Sequence, residues 1–338
     1  MITLENNELV FRFPDLHKDA VCRVDFQRTL RLPDDNREYP LPPGLGRFPL
    51  ANVEDHAPRL PASWVDHGGA LLPMYQAEAL WLNFSSGSDT WNSTPYPFAV
   101  KIAAGKINAV TGEAWRNDLT KDPQDYVVVP DQPWLDGFCV QKGLIRQFVA
   151  MPLGQGYTAE EQISGAAEHG GIQIIVYPMK RERYELLLKQ NAQESVLFCK
   201  DIAYSCCEAP SMGLAPGGLM RQEIYEDEYG FDAWDTSNPS RCFVHILNST
   251  QWEASTGKPV PGEPPSAQQY SMAGLPWFDY YDDNLQALDG SRQLARLHSV
   301  AAMGVQLGEN PLPENDAVQP AHVVPLGPTK TFVTDGKW

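Results

Sequence analysis

Residues Val21 to Leu32, VCRVDFQRTLRL, decide the fold class because their side chains alternate in polarity with a period of two. The apolar parity holds Cys22, Val24, Phe26, Leu30 and Leu32, and the polar parity holds Arg23, Asp25, Gln27, Thr29 and Arg31. This period is typical of a β-strand with one buried face and one wetter face. Arg28 interrupts the apolar parity, where its stem can lie along apolar surface while its charged head reaches water.

Strand patterns recur on both sides of this stretch. Residues 9–13 predict the preceding strand, and further strands are expected over 79–84, 126–129, 171–177 and 241–247. Two hairpins are predicted, one over 98–110 with its turn at Ala104-Gly105 and one over 137–151 with its turn at 141–143. Neighbouring strands joined by short turns indicate antiparallel pairing.

Helical signals are fewer and shorter. Thr158 and Glu161 form the ends of a capping box, which predicts a helix start. Residues 180–191 have helical propensity, and 284–303 predict a helix broken by Gly290 and restarted at Ser291 as N-cap.

Proline and glycine limit the length of every element. The chain has 29 Pro and 26 Gly, concentrated in stretches such as 33–49 and 256–266. We therefore expect an α+β fold, mainly antiparallel β in a sandwich or barrel-like form, with a few short helices and long Pro/Gly-rich loops. The Lys/Arg/Glu-rich helix at 180–191 suggests a division into a β-rich N-terminal domain, 1–178, and a mixed α+β region, 179–338; the pattern leaves open that both pack as one continuous unit.

Charge and composition narrow the function classes. The 338 residues carry a formal net charge of −17, and no basic stripe is present, which argues against nucleic acid as a partner. No segment has the roughly 20 apolar residues needed to cross a bilayer, and the first residues do not resemble a secretory signal. The expectation is a soluble, cytoplasmic protein that does not bind membranes.

Two segments mix carboxylates with large rings. Residues 223–235 and 276–283 are richer in both than a solvated loop or a buried core requires, which is typical of a cleft or an interface. The residues predicted to contact a ligand are Tyr225, Tyr229, Trp234, Asp235, Trp277, Tyr280, Tyr281 and Asp282. The hypothesis requires both segments to line one hollow; the simpler alternative is a pair of acidic surface loops whose rings fasten them to the core.

Three carboxylates are candidates for acid or base catalysis: Glu78, Glu223 and Asp279. Glu78 lies in an otherwise apolar segment, 74–82, where burial would raise its pKa. The interpretation we favour for Glu78 is that it pairs with an arginine or caps a backbone group. Two acidic groups flanking a bound sugar would suit a glycosidase.

The sequence assigns no metal site and identifies no cofactor. Cysteines 199, 206 and 207, like the Cys242/His245 pair, lack the spacing of zinc ligands, and buried free thiols are the favoured interpretation. Residues 215–218, APGG, lack the lysine of a phosphate-binding loop and predict a tight turn. A nucleotide cofactor is not supported, whereas a divalent cation at the acidic loops is left open.

These observations favour a binding protein that contacts a small polar or carbohydrate ligand, or a protein partner, through its acidic-aromatic loops. Two alternatives remain: a carboxylate-based or divalent-metal-assisted hydrolase, and a structural subunit of an assembly. The sequence predicts no oligomeric state.

Overall fold

The computed structural model describes residues 1–87, 94–191, 212–259, 261–280, 285–310, 313–320 and 322–326. Most of the regular structure is β. In chain order the strands are β1 (Ile2–Glu5), β2 (Glu8–Arg12), β3 (Val21–Thr29), β4 (Glu38–Tyr39), β5 (Gly44–Arg47), β6 (Ala51–Asn52), β7 (Ala70–Pro73), β8 (Ala79–Ser86), β9 (Phe98–Ala104), β10 (Ile107–Asn108), β11 (Val127–Val129), β12 (Trp134–Leu135), β13 (Gly137–Gln141), β14 (Leu144–Pro152), β15 (Ile172–Pro178), β16 (Met212–Arg221), β17 (Ser240–Leu247), β18 (Trp277–Tyr280) and β19 (Val323–Leu326).

The helices are short. They are α1 (Val53–His56), α2 (Ala62–His67), α3 (Ala159–Ser164), α4 (Arg181–Asn191), α5 (Ser249–Thr256), α6 (Ala267–Met272) and α7 (Val300–Leu307), with 3₁₀ turns at 57–59, 231–233, 294–296 and 313–315. The capping box predicted at Thr158 is confirmed, because its hydroxyl accepts from the Glu161 N–H while the Glu161 carboxylate reaches back to the Thr158 N–H. Among the described residues, no helix is long and apolar enough to cross a membrane.

The predicted strand is confirmed as β3, but its wetter face is wrong, because Asp25, Gln27 and Thr29 are buried too and only Arg23 is partly exposed. Its even-numbered side chains are buried, and the strand pairs antiparallel with β2 on one side and β8 on the other. The expectation for Arg28 is wrong, because only 6% of this residue is exposed and its head meets a buried carboxylate.

Two antiparallel runs of strands face each other across one core. The first runs β1-β2-β3-β8-β14-β16 and the second runs β17-β15-β9-β11, and a single residue pair, Met212 with Ile246, joins them. Even-numbered side chains from both runs fill the shared core: Cys22, Val24, Phe26, Leu80, Leu82, Phe84, Phe98, Val100, Ile102, Ile172, Ile174, Val176, Cys242, Val244 and Ile246. The structure is thus mainly antiparallel β with a few short helices, as the sequence predicts.

Both predicted hairpins form. The first turns at Gly105 and Lys106, one residue later than expected, with φ values of 55° and 59°. Two positive φ values in succession are typical of the type I′ turn that suits a tight hairpin. Strands from both sides of the division at 178/179 share one sheet, since β16 pairs with β14 and β17 pairs with β15.

Three local expectations are wrong. The supposed turn at 215–218 lies inside β16, where a side chain on Gly218 would stand 2.5 Å from the Pro33 carbonyl oxygen. The helix expected over 284–303 is replaced, within the described part of that range, by a 3₁₀ turn at 294–296 and by the start of α7, whose N-cap is Ser299. Residues 277–280 form a strand rather than a loop and pair in parallel with β19.

Candidate functional site

One carboxylate, Asp227, organises the first acidic-aromatic segment. Its Oδ2 accepts hydrogen bonds from the Tyr126 hydroxyl at 2.7 Å and from the Trp234 indole N–H at 2.9 Å. Its Oδ1 accepts from the backbone N–H groups of Tyr229 at 2.9 Å and Gly230 at 3.1 Å. Burial, with Asp227 as hydrogen-bond partner, raises the pKa of Tyr126. Asp227 therefore fastens rings inside the protein instead of presenting a charge to solvent.

The predicted ligand contacts of this segment divide into buried and accessible residues. Trp234 is 1% exposed and Tyr225 is 3% exposed, and the Trp234 indole packs edge-on against the Tyr229 ring at 6.0 Å. Tyr229 is half-buried, and burial together with the nearby Asp131 raises its pKa. Asp235 accepts from the Ser237 N–H at 3.0 Å, as a local turn requires. Of the four ligand contacts predicted in this segment, only Tyr229 and Asp235 are partly exposed.

A small pocket lies between α4 and the loop that carries Tyr229. It has a volume of about 230 Å³ and is lined by Met179, Arg183, Leu186, Leu187, Gln190, Glu228 and Tyr229. Arg183 joins the two walls, because its guanidinium donates to the Tyr229 carbonyl at 2.9 Å.

The second acidic-aromatic segment is also split. Trp277 is fully buried and packs against the rings of Tyr39 and Tyr270, at 6.4 and 6.1 Å, in a separate hydrophobic cluster. Asp279 pairs with Arg221 at 2.9 Å, and Tyr280 is half-buried. Tyr281 and Asp282 lie outside the described residues.

Tyr280 belongs to a row of three neighbouring, partly exposed rings that we name the aromatic ridge: Trp81, Trp134 and Tyr280. Trp134 lies at the centre, 6.4 Å from the Trp81 ring and 4.8 Å from the Tyr280 ring. Trp81 comes from β8 and Trp134 from β12, which pairs with β8, while Tyr280 ends β18. The ridge brings together three segments that are distant in sequence.

Asp136 is a buried carboxylate that is hydrogen-bonded to Trp134, the central residue of the ridge. It is 3% exposed, and its Oδ2 accepts from the Gln222 side-chain amide at 2.7 Å while its backbone N–H donates to Gln222 Oε1 at 3.0 Å. Burial raises the pKa of Asp136 to about 7, opposed by hydrogen bonds from the side chains of Trp134 and Gln222. An aspartate that titrates near neutrality is thus hydrogen-bonded to the central ring of the ridge.

Polar groups flank the ridge along β3 and β8. The pairing register places Gln27 opposite Trp81, and Asn83 opposite both Asp25 and Trp134. Asp25 accepts from the Gln27 amide at 2.6 Å and from the Asn83 amide at 2.9 Å. Of these three polar side chains, Asp25 and Gln27 are buried and Asn83 is partly exposed.

The two acidic-aromatic segments approach each other at Trp134. Gln132 binds the start of the first segment through the Glu223 carbonyl at 3.2 Å and the Tyr225 N–H at 3.1 Å, and also donates to the Trp134 carbonyl. The second segment reaches the same place through Tyr280. The remainder of the first segment, from Tyr229 onward, lies against α4.

Glu78, the first catalytic candidate, is buried. It is 4% exposed, and its carboxylate meets the Arg28 guanidinium at 2.6 Å and accepts from the Tyr75 N–H at 2.9 Å. Burial raises the pKa of Glu78, and the charge of Arg28 opposes that rise. The pairing with an arginine that the sequence favours is present. Of the other two candidates, Glu223 is half-buried and Asp279 is held by Arg221.

The thiols of the described residues are buried. Cys22, Cys139 and Cys242 are free, and burial raises the pKa of Cys139 and of Cys242 to about 12. Cysteines 199, 206 and 207 lie outside the described residues. Within the part of the chain that the structure describes, no three His, Cys, Asp or Glu side chains are grouped to hold a metal ion.

Comparisons with known proteins found no matching family model, no curated protein of significant similarity and no matching solved structure. Function is therefore inferred from side-chain geometry.

Sequence reasoning missed two rings of the ridge, Trp81 and Trp134, and the two buried residues next to Trp134, Asp136 and Gln222. A signal existed for Trp81, because it lies on the same strand parity as Asn83 and Ser85, where a large ring has no core to fill. The other three are brought together only by pairing between distant segments.

Proposed function

We propose that this protein binds a carbohydrate or a similar polar ligand at the aromatic ridge, with an apolar face of the ligand stacked on one of the rings, which are inclined to one another by 67° and 58°. One observation carries the proposal: two indoles and a phenol from three distant segments are neighbours, and each is partly exposed. Large rings supply contact area at low cost in conformational entropy, and their polar tips tolerate water.

The surroundings of the ridge support this ligand class. A sugar combines an apolar face of C–H groups with hydroxyls at its edge, and the ridge combines rings with the partly exposed amide of Asn83, which lies opposite Trp134. Rings that fix the plane of a ligand, with a few polar groups that fix its orientation, are the usual composition of a small-molecule site. The net charge of −17 favours a neutral ligand over an anionic one.

The test is calorimetric titration of the protein with a panel of neutral oligosaccharides. Trp134→Ala is expected to weaken binding by about 30-fold, since a central aromatic contact is typically worth about 2 kcal/mol. Tyr280→Phe keeps the ring and is expected to weaken binding less than Tyr280→Ala. Trp64→Ala is the matched control, because Trp64 is also a half-buried indole but lies on α2, stacked on His245.

Two results would overturn the proposal. One is the absence of binding across the panel, and the other is binding that Trp134→Ala and Trp81→Ala leave unchanged. Turnover of a glycoside or ester panel, lost in Glu223→Gln or Asp279→Asn, would instead support the hydrolase hypothesis.

A further inference from the structure

The pocket beside α4 is a second place where a ligand can bind, and the ridge residues do not line it. Its volume of about 230 Å³ lies below the roughly 300–1,000 Å³ typical of drug-sized ligands. The pocket therefore selects for a small molecule.

Both walls are fixed before any ligand arrives. The loop wall is held by Asp227, which accepts from the N–H groups of Tyr229 and Gly230 and from the Trp234 indole. The helix wall is held by Tyr184, whose hydroxyl donates to the Thr94 carbonyl at 2.8 Å. A site that is already ordered loses little conformational entropy when it binds.

The lining has an apolar floor and two charges of opposite sign. Met179 is 1% exposed and Leu187 is half-buried, so they form an apolar base. Arg183 and Glu228 are exposed at the edge, and within the described ranges neither forms an ion pair. Arg183 uses one Nη2 donor on the Tyr229 carbonyl, which leaves other guanidinium N–H groups for a ligand.

We propose that this pocket binds a small zwitterion with an apolar side chain, of the class of a free aliphatic α-amino acid. The carboxylate of the ligand pairs with Arg183, its ammonium group pairs with Glu228, and its side chain lies on Met179 and Leu187. A guanidinium is well matched to a carboxylate because two of its N–H groups can donate in parallel.

The competing occupant is a simple amine. The net charge of −17 attracts cations in general, and Glu228 alone could hold one at the edge of the pocket. Arg183 separates these cases, because it repels a bare amine and attracts a zwitterion.

The experiment is calorimetric titration of the full chain with L-leucine and two analogues. Isopentylamine lacks the carboxylate and isocaproate lacks the ammonium group. Each analogue is expected to bind at least about tenfold more weakly than leucine, since a hydrogen bond to a charged group is typically worth more than the free energy of a tenfold change.

Two variants locate the contacts. Arg183→Met is expected to weaken leucine binding at least about tenfold and to leave the weak binding of isopentylamine unreduced. Glu228→Gln is expected to weaken leucine binding similarly and to leave isocaproate binding unreduced. This crossed pattern separates a lost contact from a distorted pocket, which would weaken all three molecules.

Lys189→Met and Glu182→Gln are the matched controls, because both residues are exposed on α4 but do not line the pocket. They are expected to bind leucine like the parent protein. Trp134→Ala should also bind leucine normally, so that failure at the ridge and failure at this pocket are distinguishable. The inference is overturned if no aliphatic amino acid binds, if isopentylamine binds as tightly as leucine, or if both pocket variants bind leucine unchanged.

Discussion

The Asp227 network and the aromatic ridge contain the same kinds of side chain but place them differently. In the network, the carboxylate lies among the rings and bonds directly to Tyr126 and Trp234, which draws the Trp234 indole to 1% exposure. In the ridge, the buried Asp136 is also hydrogen-bonded to an indole, yet that indole, Trp134, stays partly exposed. The two regions therefore differ in how far their rings are buried, although their composition and their carboxylate–indole hydrogen bonds are alike.

The largest contrast is expected between the two indoles. Trp234→Ala should lower the free energy of unfolding by about 3–5 kcal/mol, because it empties a buried site and leaves an Asp227 oxygen with one partner fewer. Trp134→Ala, at a half-buried site, should cost less than half as much. Chemical denaturation of both variants measures the difference, and equal losses would remove the distinction between network and ridge.

The next contrast is in pH dependence. The pKa of Asp136 is raised from 3.8 to about 7 in the folded protein, so the folded state holds a proton that the unfolded state has released. The stability contributed by this proton is complete below pH 3.8 and is lost as the pH rises through about 7. The full effect is at most about 4 kcal/mol, at 1.36 kcal/mol per unit of pKa.

Denaturation of the parent protein and of Asp136→Asn between about pH 5 and about pH 8 isolates this contribution. The variant should gain stability relative to the parent as the pH rises, because its amide does not ionise. A stability difference that stays constant with pH would show that Asp136 does not titrate in this range.

A smaller effect is expected when Asp227 is replaced by asparagine. Asparagine keeps one side-chain oxygen and replaces the other by an NH₂ group, which faces the O–H of Tyr126 and the indole N–H of Trp234 and cannot accept from them. The free energy of unfolding should therefore fall by about 2–3 kcal/mol. Chemical denaturation curves of the parent and the variant measure the change. A loss below about 0.5 kcal/mol, typical of ordinary surface substitutions, would remove Asp227 from its central role.

The smallest effect is expected at Asp279. Its side chain is 28% exposed and its partner Arg221 is 50% exposed, and such surface pairs contribute at most about 1 kcal/mol. Asp279→Ala should therefore leave stability almost unchanged at physiological salt. A larger loss would place Asp279 with the structural carboxylates and not with the accessible ones.

Local patterns were enough to predict much of the β framework. The strand β3 and the capping box at Thr158 each follow from neighbouring residues, and both are present. The burial of the polar face of β3 was not predicted, because it depends on packing by other parts of the chain. The turn predicted at 215–218 is wrong, although Pro and Gly usually indicate a turn. These residues lie in a strand, where Gly218 permits close contact with the backbone at Pro33. Tertiary packing overrode the local signal.

The candidate sites were harder to predict because they are not local. The buried carboxylate of Asp136 accepts a hydrogen bond from Gln222, and the sequence suggested that these two residues belong to different domains, 1–178 and 179–338. The pocket exists because Arg183 and Tyr229 meet, and no spacing within either segment encodes that contact. Composition identified the rings of both segments but not which of them stay at the surface.

The parallel pairing of β18 with β19 ties Tyr280 to residues 323–326, near the end of the sequence. Trp81 and Trp134 leave the ribosome well before that partner strand has been made. During synthesis, a chain that already contains Trp81 and Trp134 still lacks β19, the strand that pairs with the segment carrying Tyr280. The complete ridge therefore forms only after residues 323–326 have been made, when the other strands that carry its rings are already present.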